Sequence, residues 1–273
     1  MISKEMVRKI RRIEIKSNKL VEEIFSGEYR SGFRGKGIEF EDIRQYYPGD
    51  DIRSIDWNVT ARHNRAYVKQ FSEERELNIF LLIDMSRSSF FGSKKELIAQ
   101  LGATLAFSAS RNNDKVGMIL FTEKVEKFIP SKNGRRHVLS IIENILDFEP
   151  ELKGTDITKA LQYFNRIEKK RSVVFLISDF LDDGYKKDLK ITAGHHDLVL
   201  VRVVDRAEEF IPSGAIFTFE DLESGETIVL DNMNNEYLAD NSPILSKRNF
   251  INIYSDEDYV KPLKQFFRRR SHR

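Results

Sequence analysis

Residues Ile79-Phe-Leu-Leu-Ile83 form an uninterrupted apolar run that stops at Asp84, and hydroxyls follow at Ser86 and Ser88. A short apolar run bounded in this way is the pattern of a strand buried on both faces. The same pattern returns at Val173-Val-Phe-Leu-Ile-Ser178-Asp179 and at Leu198-Val-Leu-Val-Arg-Val-Val-Asp205. Between the runs lie stretches with helical spacing, such as Lys94–Arg111 with Leu97, Ile98, Leu101 and Leu105. Strands alternating with helices predict an α/β fold with a doubly wound, mostly parallel sheet of Rossmann type. In such sheets ligands bind outside the carboxyl ends of the strands, where Asp84 and Asp179 fall.

Composition narrows the rest. The chain has 273 residues, 40% hydrophobic and 32% charged, enough for a large α/β domain with a smaller appendage. Forty-five basic residues against 43 acidic give +2, so overall charge does not point to nucleic acid. With no cysteine, disulfides, thiolate zinc sites and cysteine nucleophiles are excluded. The basic start, Met1 to Arg12, lacks the apolar core of a secretory signal, and no run approaches the ~20 residues that span a bilayer. These features predict a cytoplasmic protein with no integral membrane segment.

Several segments carry their own expectations. Residues 4–25 space Met6, Ile10, Ile13, Leu20, Val21 and Ile24 as an amphipathic helix that packs on the body of the protein. Residues 28–75 are dense in charge. Gly32, Gly35 and Gly37 stand among Arg30, Arg34 and Lys36, matching no phosphate-loop pattern. Arg44, Arg53 and Arg62 are expected to pair with Asp42, Asp50, Asp51 and Asp56 around the single Trp57, in a small β-rich element. Residues 67–76 read as a long strand leading into the sheet. Residues 115–120 and 124–129 read as two strands joined by a tight turn, 217–221 and 227–230 as a hairpin around Gly225, 235–248 as a helix, 250–254 as a strand and 258–270 as a final helix. The expected division is 1–76 and 77–273. His195 and His196, taken as strand neighbours, point to opposite faces and read as structural or surface residues.

Asp84-x-Ser86-x-Ser88 offers hard oxygens suited to Mg²⁺ or another divalent cation. The same residues read equally as a cap for the next helix, with Ser93 as its N-cap. Thr155, in Gly154-Thr-Asp156, reads by itself as a cap of the helix over 157–169. The recurrence of an aspartate at the end of a second buried strand favours the metal.

The order Asp84-x-Ser86-x-Ser88, Thr155, Asp179 resembles the metal-ion-dependent adhesion site of the von Willebrand factor A fold, over residues 77–270. Upstream, Glu39-Phe-x-Asp42-x-Arg44-x-Tyr46-x-Pro48-Gly-Asp50-Asp51-x-Arg53-x-Ile55-Asp56-Trp57, then Thr60-Ala-Arg62 and Glu73-Glu-Arg-Glu76, resembles the bacterial family called domain of unknown function 58. That resemblance implies a von Willebrand A domain and the company of a MoxR-type AAA+ ATPase. It implies a non-catalytic adaptor or co-chaperone whose metal is held by Asp84, Ser86, Ser88, Thr155 and Asp179. A partner's carboxylate would complete the metal's shell. Arg87 and Ser89-Phe90 depart from the small residues and Met that many A domains carry there. The alternative is a Mg²⁺-dependent phosphoryl-transfer hydrolase resembling haloacid dehalogenases. Such enzymes need a second Asp two residues after the first as general acid, and Ser86 stands there instead.

Overall fold

The computed structural model describes residues 4–25, 39–63, 65–72, 76–90, 93–182, 184–206, 210–211, 215–220, 227–232, 237–238 and 249–271. It divides the chain into two compact units: Arg34–Glu76, and the remainder.

In the smaller unit, β1 (Glu39–Gln45) pairs antiparallel with β2 (Tyr67–Ser72), and the short helix α2 (Trp57–His63) lies between them in sequence. Here α1 denotes Lys4–Phe25, which belongs to the larger unit. Of the strand expected over 67–76, residues 67–72 are strand and Glu76 is not, and the strand belongs to a two-stranded sheet of its own, not to the main sheet. Helix α2 was not foreseen. Its sequence lacks an apolar stripe, and Asp56 starts it by accepting from the backbone N–H of Asn58 at 2.9 Å and Val59 at 3.2 Å. Arg44 meets Asp50 through two bonds of 2.7 and 2.8 Å, and Arg53 meets Asp51 at 3.0 Å, as the sequence suggested. Asp56, however, pairs with Lys69 at 3.4 Å and with no arginine among the described contacts. Residues 32–37 and 73–75 lie outside the described residues.

The larger unit is built on a six-stranded sheet. Its strands are β3 (Asn78–Asp84), β4 (Lys115–Phe121), β5 (Val125–Lys132), β6 (Val173–Ser178), β7 (Asp197–Val204) and β12 (Phe250–Tyr254). The order is β12-β7-β6-β3-β4-β5, parallel except for the antiparallel edge strand β5. From β3 the chain passes to β4 on one side and returns to β6 on the other. The order therefore reverses at β3, the position where open sheets leave a crevice.

Side-chain alternation explains the layers, because successive residues of a strand face opposite sides. Ile79, Leu81 and Ile83 face one side with Val116, Met118, Phe175 and Val201. That side is covered by α3 (Lys94–Arg111), α4 (Arg135–Leu146) and α7 (Val260–Ser271). Phe80 and Leu82 face the other with Ile119, Val174, Leu176 and Leu200, under α5 (Ile157–Ile167) and α6 (Lys186–His195). A Cβ at Gly117 would lie 2.4 Å from the Phe80 ring, so this residue must be glycine for the ring to cross it.

Helix α1 buries Ile13 and Val21 in the first of these clusters. Ser17, fully buried, lies 3.2 Å from the Thr104 hydroxyl, itself 3.2 Å from that of Tyr259. The helix thus packs with the sheet unit, whereas the expected 1–76 grouping places it with the charged segment. No helix among the described residues is long and apolar enough to cross a membrane.

The hairpin expected near 217–230 is β9 (Ala215–Glu220) with β10 (Thr227–Asn232); Gly225 lies outside the described residues. Short strands β8 (Phe210–Ile211) and β11 (Tyr237–Leu238) also pair. The helix expected over 235–248 is therefore corrected at its start: Tyr237 and Leu238 hydrogen-bond as a strand, and 239–248 lie outside the described residues.

Candidate metal centre

Parallel registration brings the site together. Ile83 of β3 is level with Ile177 of β6, and Asp84 with Phe121 of β4, so Asp84 and Ser178 end their strands side by side. Ser178 Oγ donates to Asp84 Oδ2 at 2.7 Å. Asp179 follows directly, beyond the strand end. The turn after Asp84 closes on itself: Ser86 N–H donates to Asp84 Oδ1 at 2.9 Å, and Ser86 Oγ lies 3.1 Å from Ser88 Oγ. Asp84 and Ser86 are fully buried. None of this is the capping of α3. At the start of that helix Ser93 makes no side-chain cap bond; its hydroxyl turns to the Ser255 carbonyl at 3.4 Å.

Thr155 arrives from the loop before α5. Asp156 N–H donates to the Thr122 carbonyl at 3.0 Å, and Gly154 N–H to Glu123 Oε1 at 3.0 Å. Arg87 N–H donates to the Lys153 carbonyl at 3.0 Å, tying this loop to the serine turn. The cap of α5 is Asp156, whose carboxylate accepts from Lys159 N–H at 2.7 Å. Thr155 is therefore not the cap. Its Oγ1 stands 3.4 Å from both Asp84 oxygens, longer than a normal O–H···O bond.

Asp84, Ser86, Ser88 and Thr155 thus form one chain of contacts, and Asp179 lies close enough for its charge to act on Asp84. Burial first, and the Asp179 charge second, push the Asp84 carboxyl up to about 7. Asp179 Oδ1 accepts from Leu181 N–H at 3.3 Å, whereas its buried Oδ2 has no hydrogen-bond partner.

Two side chains of the site were not singled out from sequence. One is Ser178, hidden as the last residue of an apolar run. The other is Lys94, 1% exposed and among the largest fully buried side chains, with its Nζ 3.7 Å from Asp179 Oδ2.

The donor set fits a small hard cation. It consists of two carboxylates and three hydroxyls, with one carboxylate oxygen left over. Among the described residues no group of three or more His, Cys, Asp or Glu is placed to hold a metal ion, so hydroxyls would have to complete the shell around the two carboxylates. Asp182 is engaged elsewhere, accepting from Ile157 N–H at 2.8 Å at the start of α5. His195 ends α6 and is exposed, its Nδ1 2.9 Å from the Ile191 carbonyl. His196 is buried against Phe164, ring centroids 4.8 Å apart, and accepts from Ser172 N–H at 3.3 Å. Burial, with smaller contributions from His195 and Arg171, lowers the His196 pKa to about 4. The pair is thus divided by a helix end, not by strand alternation.

An open, mostly parallel sheet with acidic and hydroxyl groups at its switch point defines an α/β domain with a polar strand-end site. The chain belongs to the family described as "Protein of unknown function DUF58", whose model matches residues 42–241. It is similar to the uncharacterized protein Rv1480 of Mycobacterium tuberculosis, 28% identical over 223 residues, 79% of this chain and 70% of that one. It is also similar to the uncharacterized protein YeaD of Bacillus subtilis, 27% identical over 103 residues, 38% of this chain and 25% of that one. Among solved structures it is similar to the conserved hypothetical protein BatB from Bacteroides thetaiotaomicron, at 17% identity and a TM-score of 0.47 over 72% of this chain and 100% of that one. A second is an aerotolerance-related membrane protein from Bacteroides fragilis, at 20% identity and a TM-score of 0.48 over 72% and 98%.

Proposed function

We propose that this protein is a non-catalytic, metal-dependent protein-binding module of the von Willebrand A type. In this reading it serves as an adaptor or co-chaperone for a MoxR-type AAA+ ATPase. The supporting observation is the gathering of Asp84, Ser86, Ser88 and Thr155 beside Asp179, whose Oδ2 has no hydrogen-bond partner. These five residues would hold Mg²⁺. When bound, the ion supplies a coordination position that a partner's carboxylate can take. The residues themselves orient the site: Ser178 fixes one Asp84 oxygen and Ser86 N–H the other, leaving the carboxylate no freedom to turn. The choice of a MoxR-type partner rests on the family resemblance in the segment from Glu39 to Glu76, an associational ground. Against phosphoryl transfer, the position of the required second acid is Ser86, and Asp182 is committed to a helix start.

The deciding experiment is co-purification from the native cell with Mg²⁺ and with EDTA. The reading expects an AAA+ ATPase among the partners lost on chelation, and lost again with Asp84→Ala. If the partners are the same in both buffers, the metal bridge is wrong. If no AAA+ protein is recovered with Mg²⁺, the partner is wrong. Hydrolysis of a generic phosphate ester with Mg²⁺ would replace the reading with the enzymatic one.

A further inference from the structure

Lys94 opens helix α3, where the helix dipole is positive and a cation is disfavoured. It is also buried, and an ammonium taken out of water is destabilising unless a negative charge meets it. The carboxylate of Asp179, 3.7 Å from Nζ, meets this ammonium and offsets part of both penalties. At that distance the ammonium balances charge without satisfying the Oδ2 lone pairs, which is why Asp179 Oδ2 is both ion-paired and without a hydrogen bond.

We propose that Lys94 is a tethered rival of the divalent cation. Its ammonium holds the Asp179 side of the site in the metal-free protein, and metal binds only as Lys94 gives way. The inference rests on the metal-binding reading above. Charge balance sets the competition. Arg202 is also buried here, its Nε donating to the Asp179 carbonyl at 3.4 Å, so a divalent ion at the two carboxylates meets two buried cations, and withdrawal of Lys94 removes the one paired with the Asp179 carboxylate. The rival also gives the empty site a stable form. Asp84 and Asp179 can face each other without metal because Lys94 stands beside them. Metal affinity is then set partly by how firmly the first turn of α3 holds Lys94 in place, so a partner that shifts this turn changes metal affinity without touching a metal donor.

The test is calorimetric titration of chelator-stripped protein with Mg²⁺ and with Mn²⁺, for wild type, Lys94→Met and Lys94→Gln, each checked for folding by circular dichroism. Removing the rival should tighten binding by about tenfold or more. Tighter binding in a folded variant supports the proposal, and so does binding that appears only in the variants. Equal affinity in wild type and variants overturns it while leaving the metal site standing. Weaker binding in the variants also overturns it and makes Lys94 a support of the site. If neither wild type nor variants bind metal, both readings fall. A measurement on wild type guards against unfolded variants: the side-chain ammonium resonance of Lys94 in ¹⁵N-lysine protein. Metal saturation should speed its exchange with water, as the ammonium leaves its burial. An unchanged exchange rate at saturating Mg²⁺ overturns the proposal.

Discussion

In the sheet unit, Asp84, Asp179 and Lys94 are buried together at the strand ends. In the Arg34–Glu76 unit, the Arg44–Asp50 and Arg53–Asp51 pairs lie at the surface. Apolar side chains differ in the opposite sense. Strand β3 is buried from Ile79 to Asp84, whereas Tyr47, Ile52 and Trp57 of the smaller unit are exposed, Trp57 by 67%. The comparison shows where each unit gets its stability. A doubly covered sheet buries enough apolar surface to carry costly charges, and those charges are then available for function. A two-stranded sheet has no such reserve, so its bidentate ion pairs, capped turns and short helix fix conformation locally while contributing little each.

The largest break in this contrast comes from the core. Leu82→Ala, in the centre of β3, should lower unfolding free energy by about 3–5 kcal/mol, whereas Trp57→Ala should change it by no more than about 0.5 kcal/mol. Urea unfolding of both variants checks this, and comparable losses would mean that Trp57 is covered in solution.

Metal should act on the sheet unit alone. At a hundred times Kd, Mg²⁺ should stabilise wild type by about 2–3 kcal/mol, and Asp84→Ala should abolish the response. Thermal melts with Mg²⁺ and with EDTA report it. Because Asp84 is raised to about 7, protonation stabilises the metal-free fold. That contribution is full below the unfolded carboxylate value and is lost as pH rises through about 7. Protons and metal compete for the same oxygens, so the Mg²⁺-induced rise in Tm should shrink as pH falls below 7. A response that is flat between pH 5.5 and 8 would remove Asp84 from the metal's ligands.

His196 predicts a smaller pH effect. Its folded pKa is lowered to about 4, so its contribution is present above about 6.5 and is lost as pH falls through about 4. His196→Phe should flatten that part of the melting curve against pH; an unchanged slope would show the ring to be hydrated.

The smallest effect is expected at Asp56. Asp56→Ala removes the start of α2 and the Lys69 pair, giving a modest fall in Tm of the same size in Mg²⁺ and in EDTA. A metal-dependent difference would contradict the separation of roles.

The sheet was legible because its strands are covered on both faces, leaving unbroken apolar runs that stop at aspartates. Four of the five proposed ligands are joined in one contact chain, with Asp179 beside them, because they lie at strand ends and in the loops between, where polarity stands out. Lys94 was missed although the spacing of 94, 97, 98 and 101 puts it on the apolar stripe of α3; beside Lys95 and Glu96 it looked like solvent-facing charge. Ser178 was absorbed into its strand. Helix α2 and the true partner of Asp56 were not legible, since a seven-residue helix with no buried residue is set by its cap and not by periodicity. The allegiance of α1 was half legible: its amphipathy announced packing, but not against which unit.

The outer strand β5 has a consequence for how these molecules meet one another. It is the one antiparallel member of the sheet, irregular in register between Val116 and Met118 of its neighbour, and it carries Pro130 with Lys127 and Lys132 exposed. Proline has no N–H to lend to an incoming strand, and like-charged lysines repel a second copy of the same edge. On this side the row of backbone groups is unattractive as a template, so crowded copies of the protein are discouraged from zipping edge to edge into aggregates.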